Sequence, residues 1–124
     1  MSIDRLSNDA LQKIISGKIK ENVSCVIKFY SNDCHMCHAL SGYYKDISDD
    51  EEMSDIHFFA FNINDNPGME KKLNFNGVPT ISVIKMSDTA RLPKIRIMPD
   101  PDSPNEKTWY SSNAIKEFIN KEIK

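Results

Sequence analysis

Apolar residues recur along the chain with two different spacings, which predict alternating helices and strands. From Asn8 to about Ile19 they return every three or four positions, as on one face of a helix whose start Ser7 or Asn8 can cap. The run Val23–Tyr30 is short, apolar and rich in β-branched residues, which is typical of a buried strand. Helical spacing returns from Cys34 onwards. This part of the chain is therefore predicted to run helix, strand, helix.

The rest of the chain predicts three further strands and two further helices. Runs of strand length, rich in apolar residues, lie at Ile56–Ile63, Thr80–Met86 and Lys94–Met98. A short helix fits Met69–Phe75, and helical spacing begins again at about Ser112. Two of these strands follow each other without a helix between them, which predicts a hairpin.

The order of these elements predicts an α/β fold. Alternating strands and helices give parallel crossovers, and the two consecutive strands give an antiparallel pair at one side. We expect a central mixed β-sheet of four to five strands flanked by helices on both faces, the fifth being a short edge strand at Ile3–Leu6. With 124 residues, 40% of them hydrophobic, the chain fits a single domain over residues 1–124. Three prolines make residues 99–104 a loop.

Charge and hydropathy exclude several classes of function. The net charge of −2 creates no strong field towards nucleic acid or a membrane surface, so neither is an expected partner. No apolar run reaches the ~20 residues of a transmembrane helix. The first ten residues carry two aspartates and lack the apolar core of a signal peptide. We therefore expect a cytoplasmic protein, whose thiols are mostly reduced.

Two of the three cysteines form a Cys-x-x-Cys motif at the predicted start of a helix. Cys34 and Cys37 follow a buried strand and the short turn Ser31–Asp33. Free N–H groups at a helix N-terminus favour an anion there, which lowers the pKa of a thiol and supplies the nucleophilic thiolate. The spacing predicts that Cys34 attacks a disulfide and that Cys37, one turn behind, resolves the mixed disulfide.

The same spacing is compatible with other chemistry. A zinc site needs a second pair of ligands, and none of the remaining candidates has partner spacing: Cys25, His35, His38 and His57. Cys34–His38 also matches the attachment motif of c-type haem, but no export signal accompanies it, and a buried strand that leads directly into the motif does not suit a haem site. A purely structural pair is a further alternative. We expect dithiol chemistry with no metal and no organic cofactor.

Four segments carry a resemblance to a known family. Val26–Cys37 resembles the strand and active-site turn of thioredoxins and protein disulfide isomerase domains. Phe61–Gly68 is similar to the segment after the third thioredoxin strand, and Asn76–Thr80 contains the family's Gly-Val-Pro-Thr element at the expected distance from the cysteines. Trp109–Ile119 resembles the last helix and its lead-in. The resemblance covers nearly the whole chain except about Ser87–Lys107.

The resemblance implies a thioredoxin fold and a thiol–disulfide oxidoreductase that reduces protein disulfides through Cys34 and Cys37. It also implies that Pro79 is a cis-proline facing the two cysteines. The backbone of Val78 would then pair with the substrate chain like an added strand. A reductase such as thioredoxin reductase would recharge the disulfide, and the protein would act as a monomer.

Several residues depart from the family pattern and are expected to modulate the cysteine pair. Lys28 stands where the family has a buried acid, so it would hold a thiolate, carry a proton or extend to the surface. Asp33 replaces the usual tryptophan before the first cysteine. His35 and Met36 form an unusual bridge between the two cysteines, and this bridge tunes the redox potential in the family.

Two other functions stay open at this point. One is a redox-inactive thioredoxin-fold binding subunit of a larger complex. The other is a glutaredoxin-like, glutathione-dependent enzyme, although no Gly-Gly-x-Asp motif precedes the last helix. The 87–107 insertion either carries partner specificity or is a tolerated surface loop. Trp109 and Tyr110 either flank a substrate groove or pack into the core.

Overall fold

A five-stranded mixed sheet forms the centre of the protein, of which a computed structural model describes residues 3–123. The strands are β1 (Asp4–Arg5), β2 (Ser24–Tyr30), β3 (Ile56–Asn62), β4 (Thr80–Lys85) and β5 (Lys94–Ile97). Their order across the sheet is β1-β3-β2-β4-β5. β3 is parallel to both β1 and β2, and β4 is antiparallel to both β2 and β5. The predicted crossover, hairpin and short edge strand are all present.

Helices cover both faces of this sheet. They are α1 (Asn8–Ile15), α2 (His35–Ser48), α3 (Met69–Leu73) and α4 (Ser112–Ile123). Apolar side chains of α2 and α4 share one buried cluster, and those of α1 and α3 share another. Because side chains alternate across a strand, Val26 joins the first cluster and Ile27 the second. The α/β architecture predicted from the sequence is confirmed.

Two helices end earlier than their apolar spacing predicts. α1 stops at Ile15 rather than near Ile19, because Gly17 adopts a φ of 79° and turns the chain. α3 stops at Leu73, where Asn74 caps the helix in the left-handed conformation with a φ of 61°. Such caps satisfy the last carbonyl groups of a helix, so they override continued apolar periodicity. The predicted ends of the long strands differ from the observed ones by one residue at most.

Leu40 packs α2 into the core, and we expect its truncation to destabilise the protein. Its side chain is fully buried in the cluster that joins α2 to α4. Leu40→Ala should lower the free energy of unfolding by about 2–5 kcal/mol, because it leaves a cavity in a packed core. Urea denaturation measures this loss. Leu92→Ala is the control, since Leu92 is 60% exposed; equal midpoints for the two variants would contradict the assignment of Leu40 to the core.

Candidate active site

Cys34 and Cys37 form a disulfide at the first turn of α2. Cys34 is the N-cap residue, and its sulfur accepts a hydrogen bond of 3.1 Å from the backbone N–H of Cys37. Cys34 is partly exposed, whereas Cys37 is only 1% exposed. In the reduced pair, the helix N-terminus and this N–H would stabilise a thiolate on Cys34. The pair therefore has one accessible sulfur, and the second lies buried behind it.

An asparagine network that sequence reasoning missed holds the turn before Cys34. The side-chain amide of Asn62, at the end of β3, donates to Asn32 Oδ1 at 2.7 Å. The backbone N–H of Asn32 donates to Asn64 Oδ1 at 3.0 Å. The ring of His38 lies 3.3 Å from the carbonyl oxygen of Asn32. The sequence signal that could have revealed this network is the set of asparagines at or shortly after the ends of two neighbouring parallel strands, because such strand ends meet at one edge of the sheet.

Val78 and Pro79 are joined by a cis peptide bond beside the cysteine motif. Pro79 is buried and Val78 is half-buried. They border a groove of about 250 Å³, lined by residues 76–79 together with Met36, Asp100 and Trp109. We call this cavity the proline groove. It brings the predicted substrate-binding residues together with Met36 from the bridge between the cysteines.

Lys28 is buried behind the cysteine pair, with 6% of its surface exposed. The expectation that it extends to the surface is wrong, because α2 covers it. Its ammonium donates to Ser41 Oγ at 3.0 Å and lies 3.5 Å from the carbonyl oxygen of Cys37. It also lies 5.7 Å and 5.4 Å from the ring centroids of Tyr30 and Tyr44. Burial lowers the pKa of Lys28 from its ordinary value.

No carboxylate among residues 3–123 forms an ion pair with Lys28. Lys28 lines a cavity of about 480 Å³, whose lining also includes Cys37, His38 and Lys45. A buried cation without a carboxylate partner costs folding free energy. It faces the same cavity as the buried cysteine.

The other residues predicted to modulate the cysteine pair are more exposed than Lys28. Asp33 and His35 flank Cys34 and are exposed, so solvent and salt screen their charges. Met36 is half-buried and lines the proline groove. The third cysteine, Cys25, is fully buried in β2, and this burial raises the pKa of its thiol to about 12.

In residues 3–123, no three His, Cys, Asp or Glu side chains come together in a way that would hold a metal ion. Over this stretch, every helix is too short or too polar to cross a membrane.

Comparison with known proteins agrees with this geometry. The family model described as Thioredoxin matches residues 3–121. The chain belongs to the thioredoxin family. A search of curated protein sequences finds no significant match. Thioredoxin-family membership together with the Cys34–Cys37 pair supports thiol–disulfide oxidoreductase chemistry in general.

Solved structures of thioredoxins share the fold. A thioredoxin of Malassezia sympodialis is 12% identical with a TM-score of 0.66, over 97% of this chain and 90% of that one. Chloroplastic thioredoxin z is 17% identical with a TM-score of 0.64, over 98% and 94%. A chain from a study of thiol resolution in a yeast mitochondrial 1-Cys peroxiredoxin is 18% identical with a TM-score of 0.64, over 97% and 95%. At these identities the likeness establishes the thioredoxin fold alone.

Proposed function

We propose that this protein reduces protein disulfides through the Cys34–Cys37 pair, as a cytoplasmic monomer. The observation that carries the proposal is the unequal burial of two cysteines that are close enough to form a disulfide at a helix N-terminus. An accessible nucleophile and a shielded resolving thiol are what two-step disulfide exchange needs. A reductase such as thioredoxin reductase would return the pair to the dithiol.

The proposed reaction moves two electrons and two protons to the substrate. The Cys34 thiolate attacks one sulfur of the substrate disulfide, and the other substrate sulfur leaves as a thiolate. Cys37 then loses its proton and attacks Cys34 Sγ, which releases the second substrate sulfur. The Cys34–Cys37 disulfide forms, and the two released thiolates take up protons.

Substrate binding is proposed to use the proline groove. The half-buried backbone of Val78 precedes β4 and offers hydrogen-bonding groups to an extended chain. Pro79 lacks an N–H and lines the groove together with Met36, which lies between the two cysteines. Met36 adds an adaptable apolar contact.

Four residues are proposed to modulate the pair. Lys28 stabilises the Cys37 thiolate from behind, because it is a buried cation that faces the same cavity. Asp33 and His35 act more weakly, since both are exposed. Met36 adjusts access to the proline groove.

Insulin reduction tests the proposed function. With dithiothreitol as the reductant, the wild-type protein should accelerate insulin precipitation, and Cys25→Ala should do so equally, because Cys25 is buried away from the pair. The double variant Cys34→Ser/Cys37→Ser should match the rate without protein. A wild-type rate no faster than the double variant would overturn the proposal and favour a redox-inactive binding subunit. Acceleration with glutathione as the only effective reductant would favour the glutaredoxin-like alternative.

A further inference from the structure

The segment after β5 folds into a tethered turn beside the proline groove. Asn105 and Trp109 exchange two backbone hydrogen bonds of 3.0 Å and 2.8 Å. The side-chain oxygen of Asn105 accepts from the backbone N–H groups of Lys107 and Thr108, at 2.8 Å and 3.1 Å. These bonds give the end of the 87–107 insertion a defined shape.

Two buried residues anchor this turn to the core. The Thr108 hydroxyl donates to the carbonyl oxygen of Tyr110 at 2.8 Å, and the Tyr110 hydroxyl donates to that of Met98 at 3.3 Å. Thr108 is 6% exposed and Tyr110 is fully buried, so the alternative of core packing applies to Tyr110. Trp109, between them, is half-buried; it packs against the core cluster of α2 and α4 and also lines the proline groove.

The backbone of Trp109 supports a defined position for its ring. Its φ is 67°, a left-handed conformation that a bulky side chain adopts only when its surroundings enforce it. Here the enforcing contacts are the hydrogen bonds to Asn105 and the burial of both chain neighbours. A side chain held in this way is preorganised for contact with a ligand.

The proline groove combines an aromatic side chain with one negative charge. Its apolar lining comes from Met36, Val78, Pro79 and Trp109, and among the described residues Asp100 alone adds a charge to the lining. Lys107 lies in the same turn but does not line the groove. A tryptophan and a carboxylate that line one groove match the guanidinium group of arginine, which stacks on aromatic rings and pairs with carboxylates through two hydrogen bonds.

We propose that Trp109 and Asp100 form a specificity subsite for protein disulfides that carry an arginine next to the reactive cysteine. The extended substrate chain would lie along Val78, and the arginine would stack on Trp109 and pair with Asp100. This inference rests on the proposed function and names the substrate class for the same site.

Two matched disulfide-bonded peptides test the subsite, one with arginine and one with glutamate next to the cysteine. The wild-type protein should reduce the arginine peptide with a kcat/KM about 10-fold higher, and high salt should diminish this preference. Asp100→Asn should reduce the ratio to about 2-fold or less. Asp102→Asn is the matched control, because Asp102 is exposed in the same segment but lies outside the groove lining. A ratio near one in the wild type, or equal losses in both Asn variants, would overturn the subsite.

Trp109 variants separate binding from chemistry. Trp109→Ala should raise the KM of the arginine peptide several-fold with little change in kcat, and Trp109→Phe should restore most of the loss because it keeps an aromatic face. The KM of the glutamate peptide should change less in both variants, because that peptide does not use the charged side of the subsite. Failure of the wild type to accelerate insulin reduction would refute the proposed function itself. An unchanged KM in folded Trp109→Ala would refute only the subsite.

Discussion

Replacing Cys34 by serine should abolish disulfide reduction, whereas replacing Cys37 by serine should stop the reaction at a covalent intermediate. Without the Cys34 thiolate no sulfur attacks the substrate, because Cys37 is 1% exposed and does not reach a protein disulfide. We expect the turnover of Cys34→Ser to fall at least about 1,000-fold, to the rate without protein. Cys37→Ser keeps the nucleophile and loses only the resolving thiol.

Mass spectrometry distinguishes the two variants. Cys37→Ser should accumulate a mixed disulfide on Cys34 that dithiothreitol releases, and Cys34→Ser should accumulate none. Cys25→Ala, with both active cysteines intact, is the control and should turn over without trapping. A stable adduct on Cys37 in the Cys34→Ser variant would reverse the assigned order of attack.

Replacing Lys28 by methionine should stabilise the fold and slow the enzyme at the same time. Methionine fills similar space without burying a charge, so the free energy of unfolding should rise by about 1 kcal/mol at pH 7. The proposed stabilisation of the Cys37 thiolate is lost. At an effective dielectric constant of ~20, a unit charge a few ångströms from a thiolate is worth on the order of 1–3 kcal/mol, so we expect kcat to fall about 10-fold.

The effects of Lys28→Met on stability and on kcat should both depend on pH. Burial lowers the pKa of Lys28 below its ordinary value of 10.5, so the unfolded chain binds more protons between these two values. The wild type therefore gains stability as the pH rises through that window, and the advantage of Lys28→Met should shrink there. The kcat of the variant should recover at alkaline pH, where hydroxide removes the Cys37 proton.

Lys45→Met is the matched control for Lys28→Met. Lys45 lines the same cavity, but its side chain is 66% exposed and pairs with Asp49. Its replacement should change neither unfolding nor kcat appreciably. Urea denaturation gives the free energy of unfolding of both variants, and the pH profile of kcat gives their catalytic effect. Other titratable groups around Lys28 contribute to both profiles alike: Tyr30, Cys37, His38 and Tyr44. Equal profiles for the two variants would show that Lys28 has no part in the reaction.

The sequence predicts most of the fold because apolar periodicity and turn residues act locally. Buried runs such as Val23–Tyr30 and the Cys34 helix start carry their own signals. The burial of Lys28 could not be predicted in this way, since it depends on how α2 lies across β2. The position of Trp109 likewise depends on hydrogen bonds to Asn105 within a loop that the family resemblance does not cover. The family resemblance, and not periodicity, pointed to Pro79.

The burial of Cys25 means that the reactivity of its thiol reports how often the fold opens. In the reduced protein two of the three thiols belong to the active pair. The third, that of Cys25, is inaccessible as long as β2 stays in the sheet. Its pKa of about 12 keeps it protonated as well as shielded. An alkylating reagent will therefore modify this thiol only in molecules that have opened. The rate at which Cys25 is labelled then measures how often the protein opens, with no engineered cysteine needed.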